Sequence, residues 1–164
     1  IGEIASEKAR IIKPGVPAVT CARGKALRVI AEYAGRLRTQ LRVYGRDFKS
    51  SGERADSFDY TGSAWTLKGL SPNLRGHYQT ENLSAAVAAV EALNEYHGIK
   101  IEEKALRMGL GAIDWPGRLE TIRKRPPLIL DSAHNPGGAR ALAESLKLMH
   151  PSLKFTFLVG MLTD

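Results

Sequence analysis

The most constraining feature is a short apolar run, Pro127-Leu128-Ile129-Leu130, that ends on an acid, Asp131. It then passes through Ser132-Ala133-His134 to Asn135-Pro136. A hydrophobic strand that empties into a polar turn and then a helix start is how open α/β sheets present groups to a ligand. Asn135 is a good N-cap and Pro136 suits the first helical position. Just upstream, Trp115-Pro116-Gly117 makes a tight turn with Arg118 directly after it. The whole stretch from Trp115 to Pro136 is therefore the centre of interest, and the rest of the chain reads as its support.

The remaining segments spell an α/β order. Glu3 to Ile12 reads as a short helical or irregular piece, closed by Pro14-Gly15. Ala18 to Ala22 reads as a strand. Gly24 to Arg36 reads as a helix with Ala26, Ile30, Tyr33 and Leu37 on one stripe, and Gln40 to Tyr44 as a second strand. A strand–helix–strand unit of this kind is most economically parallel. Lys49 to Asp56 reads as a polar loop. Phe58, Tyr60, Trp65 and Leu67 alternate with polar residues around Thr61-Gly62-Ser63, which predicts a hairpin or meander. Thr80 to Tyr96 is the strongest helix, with Leu83, Ala86, Val87, Val90 and Leu93 on one face. A further helix starts near Glu102. Beyond Trp115 the pattern predicts strands at Leu119–Arg123 and Leu128–Asp131. A helix with Ala139, Leu142, Leu146 and Met149 inward follows, and then a last strand at Lys154–Val159.

Composition narrows the function classes. The 164 residues include one cysteine, Cys21, which excludes an internal disulfide or a cysteine-based zinc site and fits a cytoplasmic setting. Cys21 itself reads as a buried strand thiol. No apolar run reaches membrane-span length. The net charge of +7 suits a small anionic ligand. It also leaves open a basic binding module for nucleic acid or protein, although Arg123-Lys124-Arg125 is the only dense basic cluster and has no aromatics beside it. The absence of an initiator Met and an end just after a strand read as an internal piece of a longer polypeptide.

Neither the phosphate-loop pattern nor a G-x-G-x-x-G fingerprint is present, and no paired-histidine metal motif exists. Four segments together nevertheless carry a resemblance. They are Ile4-Ala5-Ser6-Glu7-Lys8-Ala9 with Ile11-Ile12-Lys13-Pro14-Gly15-Val16-Pro17; Leu74-Arg75-Gly76-His77-Tyr78-Gln79-Thr80-Glu81-Asn82; Trp115-Pro116-Gly117-Arg118-Leu119-Glu120; and Asp131-Ser132-Ala133-His134-Asn135-Pro136. With the terminal Gly160-Met161-Leu162-Thr163-Asp164, the set resembles the folylpolyglutamate synthase/dihydrofolate synthase family of the Mur ligase superfamily. Each segment alone is weak; their common order is specific. Tyr78 stands where the family usually has His, Arg10 where it has Gly, and Ser132 where it has Gly, Ala or Asp.

The resemblance implies an α/β fold: residues 1–114 as the later part of a P-loop-type central ATPase domain, and 115–164 as the start of a Rossmann-like C-terminal domain. It implies an ATP-dependent ligase that adds L-glutamate to folate or dihydropteroate through an acyl phosphate, with Mg²⁺, as a monomer with no nucleic-acid or membrane partner. The region present lacks the phosphate loop, so these residues alone are expected to be inactive. Lys8, which reads by itself as an ordinary surface lysine after Glu7, matches the family's carbamylated lysine, whose carbamate holds Mg²⁺. Asn82, otherwise a first-turn helix Asn, matches the amide that contacts adenine. Arg118 matches an arginine on ATP phosphate or ribose, and Asp131 a ribose ligand. His134, otherwise a turn histidine, matches a residue that positions phosphate or substrate. Another Mur-type ligase, acting on a peptidoglycan precursor, shares these roles and stays open.

Overall fold

The computed structural model describes residues 1–54 and 57–160. The first layer is a helix, α1 (Gly2–Ala9), followed by β1 (Ala18–Thr20), α2 (Gly24–Arg36) and β2 (Leu41–Val43). The strands β1 and β2 pair in parallel, with Ala18 opposite Leu41 and Thr20 opposite Val43, as the strand–helix–strand order predicts. β1 stops at Thr20, earlier than expected. Cys21 therefore lies just past the strand and is only partly buried. Its thiol lies 3.6 Å from the Glu81 carbonyl, and burial together with the Glu81 charge pushes its pKa up to about 11.

Next comes an antiparallel meander of β3 (Lys49–Arg54), β4 (Ser57–Thr61) and β5 (Thr66–Leu70), in the order β3-β4-β5. The polar loop expected at Lys49–Asp56 is thus a strand over Lys49–Arg54. Composition misleads there because β3 lies at the sheet's edge and borrows its regularity from the ladder it makes with β4. Lys49 pairs with Thr61 and Ser50 with Tyr60, and the register shifts between Ser51 and Arg54, around the positive-φ Gly52. The alternation expected of Phe58 and Tyr60 holds, since both face inward and are buried.

The long helix α3 (Gln79–His97) packs over this meander, and α4 (Glu103–Gly111) closes the same core. Phe48, Phe58, Tyr60, Leu67, Leu70, Leu83, Val87, Ala88, Leu106 and Leu110 form it. Two residues of the expected α3 stripe, Ala86 and Leu93, are exposed, and Glu91 is buried in their stead. The reason is polar. Glu91 accepts the Tyr60 hydroxyl at 2.8 Å and the backbone N–H groups of Ser63, Ala64 and Trp65 at 3.3, 3.0 and 2.7 Å. Buried Arg42 lies 3.8 Å from the same carboxylate and also pairs with Glu95. This carboxylate clamps the β4–β5 turn onto the helix. Gly62 is required at that turn, because a Cβ there would collide with the Tyr60 hydroxyl and the Glu91 carboxylate.

Beyond the Trp115-Pro116-Gly117 turn the chain forms an antiparallel hairpin of β6 (Glu120–Lys124) and β7 (Pro127–Leu130), then α5 (Pro136–Met149). Asn135 caps α5 by accepting the Gly138 N–H at 2.9 Å, and Pro136 opens the helix. Leu146 is buried and Leu142 and Met149 partly so, but Ala139 is exposed and Ser145 is buried on that face. The expected strand at Lys154–Val159 is not formed. A strand needs a neighbour to pair with, and no described residue pairs with this run; Phe157, Leu158 and Val159 stand exposed. Residues 161–164 of the terminal Gly160–Asp164 motif lie outside the described residues. No helix of the described chain is long and apolar enough to cross a membrane.

Candidate functional site

The segment between β5 and α3 meets the segment between Trp115 and β6. Gly76 makes the close approach possible. It adopts φ +108°, and a Cβ on it would lie 2.8 Å from both the Leu119 Cδ1 and the Tyr78 ring. Leu119 is fully buried and itself adopts a left-handed φ of +49°. That conformation turns its N–H onto Asp131 Oδ2 at 3.0 Å. Asp131 Oδ1 takes the Ala133 N–H at 2.8 Å, an Asx-type turn that shapes the exit of β7. The Ser132 N–H donates to the Gly117 carbonyl at 2.9 Å, and Glu120 accepts the Gly117 N–H at 2.8 Å. The two turns are therefore zipped together, and the Pro-Gly turn faces the end of β7.

Tyr78 spans the seam. Its hydroxyl lies 3.5 Å from Asp131 Oδ2, and its pKa is raised, first by burial and then by the Asp131 charge. Asp131 is only half-buried and keeps acceptor capacity beyond these contacts. Asn82, in the first turn of α3, donates from Nδ2 to Gln79 Oε1 at 3.1 Å, which leaves its carbonyl oxygen with no described partner. Gln79 is buried and holds that amide in place.

Asn82 and Arg118 line one cavity of about 410 Å³. Its other walls are apolar, from Leu74, Leu83, Ala86, Ile113 and Trp115, with Tyr78 and Gln79 at the polar end. An apolar slot with a few convergent polar groups is the usual form of a small-molecule site. Of the five residues singled out from sequence, the structure brings Asn82 and Arg118 to this slot and joins Asp131 to it through Tyr78. Lys8 stands elsewhere. It lies exposed in the last turn of α1, pairs with Glu7 at 3.3 Å, and lines a separate cavity with Ile12, Thr20 and Leu41. His134 is exposed, with its Nδ1 3.0 Å from the Ser132 carbonyl, and is not among the slot's walls.

Trp115, Tyr78 and Ile113 are among the wall residues that sequence reasoning does not single out as site residues. In the sequence Trp115 stands out only as part of a tight turn and a motif, and Tyr78 only as a departure from a motif. Trp115 is 64% exposed beside the Pro-Gly turn, a placement that the sequence does not reveal.

No family model matches the chain. It is 34% identical over its whole length to the dihydrofolate synthase/folylpolyglutamate synthase of Bacillus subtilis, of which it spans 39%. It is 31% identical to the folylpolyglutamate synthase of Lacticaseibacillus casei, again over its full length and 39% of the relative. A solved variant of the L. casei enzyme superposes with a TM-score of 0.87 at 30% identity, covering 99% of this chain and 41% of that one. A solved complex described as FPGS–AMPPCP–folate gives a TM-score of 0.86 at 31% identity, covering 90% and 37%. The chain thus spans about two fifths of the relatives it matches, and within that span sequence and fold agree: it belongs to the folylpolyglutamate synthase/dihydrofolate synthase family.

Proposed function

We propose that this chain supplies part of the nucleotide site of a cytoplasmic ATP-dependent ligase that joins L-glutamate to folate or dihydropteroate. The observation that carries the reading is the slot shared by Asn82 and Arg118, with Asp131 tied to it by Tyr78. In this reading the Asn82 amide reads adenine's edge, where a carbonyl and an NH₂ match one donor and one acceptor. Arg118 neutralises phosphate, for which its rigid fork is suited, and Asp131 accepts a ribose hydroxyl. His134, exposed at the turn after β7, positions phosphate or the second substrate. Residues 1–114 and 115–164 are read as two domains that meet at the Trp115-Pro116-Gly117 turn.

The chemistry is an acyl transfer in two steps. A substrate carboxylate oxygen attacks the γ-phosphorus of ATP, the bond to the β-phosphate oxygen breaks, and ADP leaves. The glutamate nitrogen then attacks the acyl carbon, the bond to phosphate breaks, the amine loses its proton, and inorganic phosphate departs. Residues at the seam contribute by holding the nucleotide and by stabilising charge as it develops. Mg²⁺ would lower the charge on the phosphates. Toward it the resemblance offers Lys8, whose amine is exposed and could take a carbamate. No group of three His, Cys, Asp or Glu residues that could hold a metal exists among the described residues. A single carbamate does not make a metal site, so no step here is assigned to one.

The test is a polypeptide of the relatives' length that carries this chain, supplied with ATP, L-glutamate and either dihydropteroate or folate. Glutamylated product is expected by mass spectrometry, and Asn82→Ala is expected to raise the KM for ATP about tenfold, the worth of a lost hydrogen-bonded amide. Absence of glutamate-dependent product with both pterins overturns the reading. The 164-residue chain alone is expected to form none.

A further inference from the structure

The β6–β7 hairpin ends in the chain's dense basic cluster, Arg123-Lys124-Arg125, and all three side chains are exposed. From Thr121 to Leu130 the sequence holds no acid. Glu120, at the other end of β6, is engaged with the Gly117 N–H. A fourth base joins from another segment. Arg75, exposed just before α3, reaches Thr121 Oγ1 from Nη1 at 3.4 Å. Arg123 Nε donates to the Pro126 carbonyl at 3.3 Å, which folds its guanidinium back over the turn. Among the described residues its two Nη groups, and the Lys124 and Arg125 side chains, make no hydrogen bond or ion pair.

Other exposed bases of this chain meet acids. Arg36 meets Glu32, Arg46 meets Asp47, Lys68 meets Asp59 and Arg107 meets Glu103. At the hairpin none of the four does, among the described residues. Like charges gathered this way repel one another, so the fold gains nothing from them, whereas an anion with several charges relieves the repulsion at all of them together. Nucleic acid suits the patch poorly, because no aromatic lies between Leu119 and Leu130 to stack a base. Ile122 and Leu128, about half exposed, lie among the bases instead and suit the methylenes of an aliphatic chain.

The proposed reaction produces such an anion. Each ligation consumes one carboxylate and brings two with the incoming glutamate, so every round leaves a substrate with one more negative charge. The reacting carboxylate meets phosphate at Arg118, two residues before β6. A strand rises about 3.3 Å per residue, which puts Arg123 roughly 10 Å beyond Glu120. A single glutamate falls short of that span, and an extended tail of three or more residues, at up to ~3.5 Å each, covers it. We propose that the β6–β7 hairpin, with Arg75, is a docking track for the carboxylates of an acceptor substrate that already carries several glutamates. The inference rests on the ligase reading above and concerns the acceptor, not the nucleotide. Arginines suit the task, because the guanidinium fork takes a carboxylate in two parallel hydrogen bonds. The track makes affinity rise with tail length.

The test compares tail lengths in the polypeptide of the relatives' length, supplied with folate bearing one or five glutamates. Arg123→Gln, Lys124→Gln and Arg125→Gln together are expected to raise the KM for the five-glutamate substrate about tenfold, since each exposed pair is worth only a few-fold by itself. The KM values for the one-glutamate substrate and for ATP, and kcat with either tail, should stay within about twofold. Arg123→Lys with Arg125→Lys keeps the charge and should keep most of the length dependence. Free pentaglutamate titrated into the 164-residue chain, followed by NMR shifts, reads the track without catalysis. Shifts are expected at Arg75 and residues 121–125, and should fade at about 0.5 M salt. If tripolyphosphate or a short oligonucleotide of matched charge binds there as tightly, the patch is a general anion surface and the inference fails. If product forms and the triple variant treats both tails alike, the inference fails while the ligase reading stands. If no pterin is glutamylated, the ligase reading fails and takes the inference with it. Thermal melting of each variant confirms that the fold is kept.

Discussion

Two carboxylates in this chain have opposite fates. Glu91 is 2% exposed and meets a tyrosine hydroxyl, a serine hydroxyl, three backbone amides and a buried arginine. Asp131 is half-buried and meets two backbone amides and one distant phenol. A carboxylate offers about four lone-pair sites. Glu91 has filled its own, so it can only hold structure. Asp131 has oriented its oxygens without exhausting them, which is the condition for meeting a ligand. Burial alone does not separate a fastening from a binding group; the count of donors already engaged does.

The largest way to break the comparison is to remove the saturated member. Glu91→Ala leaves the buried Arg42 with only the half-exposed Glu95, and leaves the Tyr60 hydroxyl and the Ser63–Trp65 amides without acceptors. Breaking one partner of a buried pair costs about 3–5 kcal/mol. Against a typical stability of about 5–15 kcal/mol, that should approach unfolding at ambient temperature. Urea denaturation measures it, and a loss under about 1 kcal/mol would show that the clamp is not what fastens the meander to α3.

The two tyrosines that serve these carboxylates sharpen the contrast at high pH. Both phenols have raised pKa values: Tyr60 by full burial and then Glu91, Tyr78 by partial burial and then Asp131. A folded pKa above the unfolded one means that the folded state keeps its proton longer. The stabilisation is complete below the unfolded value near 10 and is lost as pH rises past it. Cys21, raised to about 11, acts in the same direction from a slightly lower pH, so a Cys21→Ala background isolates the phenols. Stability should then fall above about pH 10, and Tyr60→Phe should flatten that fall more than Tyr78→Phe. Equal flattening would mean that the two hydroxyls are equally shielded.

How much of this was readable follows the same line. Asn135 as a cap and the inward Phe58 and Tyr60 are legible because each is decided within a few residues, and the parallel pairing of β1 with β2 because the strand–helix–strand order constrains it. Local signals failed where a partner decides. β3 is polar in composition and becomes a strand only through β4. Lys154–Val159 is apolar and alternating, and stays unpaired for want of a neighbour. Glu91, which no sequence pattern singles out, is buried by a turn nearly thirty residues earlier in the chain. Among the candidate site residues, Asn82, Arg118 and Asp131 come from motifs that give identities but no distances. Tyr78, which ties Asp131 to the slot, was visible only as an oddity. Lys8 was legible as a motif residue too, yet nothing in sequence spacing says that it lines a different cavity from Asn82.

The smallest expected effect on stability tests the unsaturated member. Asp131→Asn keeps one carbonyl oxygen, which can serve either the Leu119 or the Ala133 amide, while the new NH₂ turns toward the other donor. One of two partly exposed hydrogen bonds is therefore lost, at a cost of about 1 kcal/mol in urea denaturation. The ligand side should respond more strongly. An amide in place of the carboxylate loses the charge-assisted part of a bond to a ribose hydroxyl, so adenosine should bind about tenfold more weakly, while inorganic tripolyphosphate, which has no ribose, should be unaffected. Stability and affinity would then move by different amounts at Asp131, whereas at Glu91 any loss of affinity should track the unfolded fraction. If adenosine affinity is unchanged by Asp131→Asn while stability falls by several kcal/mol, Asp131 is a second fastening of the Glu91 kind, and the acceptor capacity left on its oxygens belongs to water.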